Sequence, residues 1–231
     1  MPLARPMAAL VVCTSGAAIL IIEIAGLKLL LPAFGSSFHV WTAQIGMVML
    51  ALALGYWLGG RLIDRRPAVS TVALLMLCGG LTTLLIPSYA RPLAEAIANR
   101  HYVNQAANDD PDAPAIIEIA PIWRKLDPML GAFAAFFLPC LILAGISPAL
   151  VRLLDRGEAG RGEGTGAILA WGTLGSLAGL YLAAYGLDEA LGVTQILQGT
   201  GAVVMLVGVV LALTPRPSPQ QAVERGAGTE G

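Results

Sequence analysis

The chain has 231 residues, 56% of them hydrophobic and 13% charged, with a net charge of -1. A water-soluble domain carries roughly 25% charged residues, so this composition, with its mean hydropathy of +0.73, excludes an ordinary soluble globule and places the chain in a bilayer. No basic run is interleaved with aromatics, which excludes a nucleic-acid surface.

About 20 apolar residues are needed for a helix to cross the hydrocarbon core. Six segments qualify: 7–31, 40–60, 69–86, 129–154, 166–187 and 193–213. In lipid each must be helical, because an unpaired backbone group costs several kcal/mol there. The sequence therefore predicts an all-α integral membrane domain over residues 1–214, with six transmembrane helices in two three-helix units. A tail of disordered composition follows over 215–231. Arg5 before an apolar run imitates a signal peptide. The run is too long for one, however, it contains Glu23, and no small-residue cleavage site follows, so it reads as a retained first helix.

The first helix carries Glu23 and Lys28. A carboxylate inside a membrane costs at least about 2.5 kcal/mol and faces protein or water, so Glu23 is either polar glue between helices or a substrate or proton site. Five residues separate it from Lys28, about 140° around the helix, so the two do not stack as an i,i+4 pair would. Lys28 is placed to snorkel to the outer interface. Glu23 is expected to face the bundle interior and to find a basic or hydroxyl partner on helix two, four or five.

Gly55 and Gly59 in the second helix, and Gly175 and Gly179 in the fifth, form GxxxG pairs that let helix backbones approach closely. They serve internal packing or an interface with a partner, and the face of Gly175 and Gly179 is the expected contact. Arg61, Asp64, Arg65 and Arg66 form a charged cluster after the second helix. Residues 88–128 read as a long acidic external loop, with "AIIEIAPIWRKL" lying on the membrane surface. Residues 152–165 form an internal, glycine-rich, charged loop. Tyr181, Tyr185 and Asp188 lie together near the outer end of the fifth helix, as an interfacial belt or as a cation-attracting mouth.

Cys13, Cys78 and Cys140 fall in apolar segments without CxxC spacing, and His39 and His101 lie far apart. They predict no disulfide, no metal site and no cofactor. No catalytic constellation appears, and no strand-turn-helix pattern stands outside the membrane.

The stretch "SGAAILIIEIAGLKLLLPAFGSSFHVWTAQIGMVMLALALGYWLGGRLIDR" resembles the membrane region of the spermidine synthase-like proteins. In that family a major-facilitator-type half is fused to an aminopropyltransferase. Glu23, Lys28, the "FGSS" turn over Phe34 to Ser37, and Leu52 to Arg65 carry the likeness. The segments Pro148 to Arg152 and Trp171 to Gly179 are similar to its later signatures. Trp171 departs from them, standing where the family commonly has a small or polar residue. The likeness spans roughly residues 10–190. It implies a half-transporter fold, and it makes Asp64 and Arg65 similar to the charged pair that latches major-facilitator helices on the inner side. The family's catalytic part is a Rossmann-like domain with a glycine-rich loop after a strand. The only comparable glycines, in "DRGEAGRGEGTG", follow a membrane helix. The chain therefore reads as the membrane module alone, and aminopropyl transfer is not carried over.

Two functions are expected from this. The first is a non-catalytic membrane subunit or anchor in a larger assembly, with the lipid bilayer and other membrane or cytoplasmic subunits as partners. The alternative is a small transporter of a polyamine-like or other small solute that forms a full path as a homodimer. A bacterial inner membrane is the expected location.

With the N-terminus inside, nine Lys and Arg residues lie on the inner side and four on the outer, which predicts cytoplasmic termini. Cysteine labelling of intact cells tests this. Asn108→Cys should react with an impermeant reagent added outside, and Ser218→Cys only after permeabilisation. The reverse pattern would mean an inverted chain.

Overall fold

The computed structural model describes residues 5–99, 121–154, 161–187 and 191–214. Among them every regular element is helical: α1 (Arg5–Phe34), α2 (Phe38–Arg65), α3 (Val69–Asn99), α4 (Pro121–Ala144), α5 (Ile146–Leu154), α6 (Arg161–Tyr181), a π-helical turn (Leu182–Leu187), and α7 (Val193–Leu213). The segments α4 and α5 make one span, as do α6 and its π turn, so six helices are long and apolar enough to cross a membrane. The protein is an all-α, six-span membrane protein.

Helix ends follow local chemistry. Gly35 takes a left-handed conformation at φ 75°, and its N–H donates to the Leu31 carbonyl at 2.8 Å. This glycine cap stops α1 and lets α2 begin three residues later. The fourth span breaks at Gly145. Pro148 has no N–H to offer the Ala144 carbonyl, and the bonds at the break, from the Gly145 N–H to Leu141 and from the Ala149 N–H to Gly145, are both long at 3.4 Å.

Two expected boundaries are wrong. The third helix does not end at Ile86: it runs to Asn99 through Pro87 and Pro92. Ile86, Ala90, Ala94 and Ala98 are buried at a spacing of four, so one continuous helical face packs inward and holds the extension. The fourth helix starts at Pro121, where a proline suits a first helical position. Residues 88–99 and 121–128 are thus helical and not part of a loop, and "PIWRKL" belongs to α4. Most of residues 152–165 fares similarly at its edges: α5 ends at Leu154 and α6 begins at Arg161. Residues 100–120, the middle of that internal loop, and the tail lie outside the described residues.

The packing has a symmetry. The closest partners are α3 with α7, α1 with α6, and α2 with α4; α3 with α4 and α1 with α7 come next. Exchanging the first three spans for the last three, in order, turns α1 with α6 into α2 with α4 and α3 with α4 into α1 with α7, and maps α3 with α7 onto itself. Each unit has three spans, so the second runs through the bilayer opposite to the first. This is the pattern of inverted-topology repeats. The principal pairings all cross between the units, which therefore interlock, and α1 packs against all five other spans.

Glycines obey the same exchange. A methyl built on Gly55 would lie 2.5 Å from the Leu141 carbonyl oxygen, and one on Gly59 would lie 2.8 Å from the Gly145 carbonyl carbon. On the fifth span, methyls at Gly175 and Gly179 would lie 2.5 Å from Cys13 Cα and 2.6 Å from Ala17 Cα. Gly80 and Gly201 abut each other between α3 and α7, each closed off by the other's carbonyl oxygen. Both GxxxG pairs are therefore filled from within the chain. The expected partner contact at Gly175 and Gly179 is replaced by α1.

Pro139 shows how the interior copes with a missing donor. It leaves the Ala135 carbonyl without its helical partner, and the Tyr89 hydroxyl donates to that oxygen at 2.7 Å. Two predictions follow from this packing. Tyr89→Phe should cost about 1 kcal/mol, and most of that cost should vanish in a Pro139→Ala background, where a backbone N–H is restored; detergent unfolding curves of the four proteins form the cycle. Gly179→Leu should lower stability by at least about 2 kcal/mol, because the clash is with the α1 backbone. An unchanged unfolding midpoint with a reduced oligomeric mass would instead place that face outward.

Candidate polar site in the membrane interior

The face of α1 that meets α2 and α4 carries Glu23 and, three residues on, Gly26. A methyl on Gly26 would lie 2.9 Å from Gln44 Nε2 and 3.1 Å from the Phe136 ring. The glycine therefore makes the space into which the Gln44 amide and the Phe136 ring are packed. Gln44 is 1% exposed. Its Nε2 donates to the Glu23 backbone carbonyl at 3.5 Å, a long bond, and its Oε1 is buried with no hydrogen-bond partner among the described residues.

Because α1 and α4 run antiparallel, Cys140, one turn from Phe136, comes opposite Glu23. The Cys140 side chain is fully buried. Glu23 itself is half-buried, and among the described residues no hydrogen bond or ion pair reaches its carboxylate. The expected basic or hydroxyl partner is thus absent among those residues. Lys28 is also half-buried and is engaged in a contact of its own.

A second polar cluster sits where α2 and α5 end. Arg152 Nε donates to Asp64 Oδ1 at 3.1 Å, with both side chains more than half exposed. Arg61 stacks over Trp57 at 4.2 Å from the ring centroid. Of the charged cluster read from the sequence, Asp64 therefore finds its partner on another span, and Arg61, Arg65 and Arg66 are exposed. Asp64 and Arg152 stand at a cavity of about 470 Å³ that Tyr56, Gly60, Ser147 and Thr165 also line. An exposed pair of this kind contributes less than about 1 kcal/mol.

Tyr181 and Tyr185 stack with ring centroids 6.0 Å apart, and both are exposed. No hydrogen bond joins them to Glu23 among the described residues. Asp188 lies outside the described residues.

Three residues at or near the polar site escape the sequence reading. Gln44 is an amide in an otherwise apolar window, and that mismatch was its signal. Tyr89 falls beyond the expected end of helix three, and Cys140 passes for a small apolar residue. Asp127, expected in a loop, is buried in α4 and engaged in a contact.

Comparison with protein-family models, with curated proteins and with solved structures finds no match to this chain.

Gln44 leaves a testable signature in stability. A buried acceptor without a donor costs about 1–3 kcal/mol, so Gln44→Leu should raise the thermal midpoint or leave it unchanged. A marked fall would mean that the amide is structural.

Proposed function

We propose that this chain is a non-catalytic membrane unit that works inside a larger assembly, as the six-span half of a path for a small solute. The observation that carries the reading is the exchange symmetry of the packing. Inverted three-helix repeats build each half of major-facilitator transporters, and binding sites in such folds lie near the bilayer midplane where the repeats meet. Here Glu23, whose carboxylate has no hydrogen-bond partner among the described residues, and the buried amide of Gln44 lie on the stretch of α1, from the first unit, that meets Phe136 of α4, from the second. One six-span unit supplies half of the usual repeat set, and a second copy of the chain supplies the other.

The likeness of residues 10–190 to the membrane region of the spermidine synthase-like proteins supports the same reading, as does the composition of the chain. The location that fits is a bacterial inner membrane. The face that meets the second half is not made by the glycine pairs, which are filled internally; it lies on the spans that leave large apolar side chains exposed. Among these, α6 with its π turn has the smallest buried share of any span.

The native mass of the protein in a mild detergent tests the assembly. The expected result is a protein mass of twice the 23.9 kDa of one chain, or a fixed ratio with a different chain. A monomer that moves solute into vesicles at the full rate would contradict it.

A further inference from the structure

We infer that the cavity between the end of α2 and the helices α3 and α4 holds an anionic phospholipid, with its phosphate on Arg61 and Arg65 and an acyl chain against the apolar wall. The cavity measures about 370 Å³, and Arg61, Arg65, Leu62, Leu75 and Ile142 line it. Gly59 and Gly145, where the α2 and α4 backbones touch, line it too. Arg61 and Arg65 stand one turn apart on α2, so their charges repel. Among the described residues no hydrogen bond or ion pair reaches either guanidinium. No acid is found among the described residues that line this cavity. Asp64, the acid between the two arginines in sequence, lines a different cavity and accepts a hydrogen bond from Arg152 there. The site is therefore a positive rim on an apolar wall.

Its depth fits a headgroup. The Arg61 guanidinium lies 4.2 Å from the centroid of the Trp57 ring, and Trp57 is exposed. An exposed tryptophan near the end of a span sits at the level of the lipid headgroups, which puts Arg61 at the level of their phosphates. The excess of basic residues at this end of the spans predicts the inner side. Anionic lipids give that leaflet its negative surface, and basic pockets between spans take their headgroups.

The chemistry narrows the occupant. A guanidinium is a planar fork of donors that grips phosphate oxygens in pairs. One phosphate shared by two such forks also relieves their repulsion. A soluble phosphate ester meets the arginines but leaves the apolar wall uncovered. An apolar helix of a second copy covers the wall but brings no anion. A zwitterionic phospholipid carries a cation of its own, which offsets the attraction. Arg66 supplies an internal control, because it is exposed and adjacent in sequence but does not line the cavity. Plain anchoring to a negative surface would use all three arginines, whereas the site uses two.

The cavity is formed within one chain, so the inference goes beyond the half-path reading and stands without it. The delipidated protein in detergent micelles is titrated with dioleoyl phosphatidylglycerol, dioleoyl phosphatidylcholine or glycerol phosphate at fixed ionic strength, and the thermal midpoint is followed. Phosphatidylglycerol should raise the midpoint in a saturable way, phosphatidylcholine should raise it clearly less, and glycerol phosphate should not raise it. Arg61→Gln and Arg65→Gln should each weaken the apparent affinity for phosphatidylglycerol roughly fivefold, and Arg66→Gln should leave it unchanged. All three side chains are exposed, so the variants should fold, and their midpoints without lipid check this. Equal weakening by Arg66→Gln would show general attraction to a basic surface and overturn the site. Equal shifts with the two lipids would mean an acyl groove blind to charge, and a full shift with glycerol phosphate would mean a soluble-anion site; either result overturns the assignment. No shift with phosphatidylglycerol would overturn it too.

Discussion

The close approach of helix backbones at glycines is the constraint on which the rest of this structure depends. Lipid tails are as apolar as leucine, so no hydrophobic force drives one span against another, and packing must supply the attraction. That attraction depends on how near two backbones come. A methyl would have no room on Gly59 against Gly145, on Gly80 or Gly201 where the two abut, or on Gly175 or Gly179 against α1. Each of these contacts joins the first three spans to the last three. The two units are interlocked by them, and neither has a closed packing surface of its own.

The interlock also decides where polar groups meet. With α1 held at the centre, its Glu23 face lies against α2 and α4, and Gly26 makes room there for the Gln44 amide and the Phe136 ring. With α3 held against α4, the Tyr89 hydroxyl reaches the carbonyl that Pro139 leaves free. These two polar contacts differ in kind. The tyrosine contact closes a deficit created by the backbone, and the donor and acceptor counts balance. Where Gln44 meets the Glu23 backbone, the buried Gln44 oxygen and the Glu23 carboxylate find no donor among the described residues, in a medium where such groups are costly. An imbalance of that kind inside a membrane is where a ligand or proton is expected to act. The Asp64 and Arg152 pair lies exposed where α2 and α5 end, so it carries no comparable cost.

Six spans were legible in the sequence because a run of about 20 apolar residues has few alternatives in lipid. The ends of the spans were less so. The apolar run of the third span ends at Ile86, but the buried stripe from Ile86 to Ala98 keeps α3 going through Pro87 and Pro92. Glycine spacing pointed to close packing but not to the partner, since a GxxxG pair does not say which helix fills it; only the contacts show that α2 takes α4 and that α6 takes α1. At the candidate site, Glu23 stood out because a carboxylate is conspicuous in an apolar run. Gln44 is uncharged and the span pairing was unknown, so its meeting with Glu23 was out of reach.

The claim that the two three-span units complete one another can be tested by cutting the chain between them. Residues 1–99 and 100–231 are expressed as separate polypeptides, together and singly, in membranes. If the principal contacts all cross between the units, the two pieces should co-purify in a one-to-one complex with the thermal midpoint close to that of the intact chain, and each piece alone should be degraded or aggregate. Two pieces that each purify alone as stable, protease-resistant three-helix proteins would contradict the account.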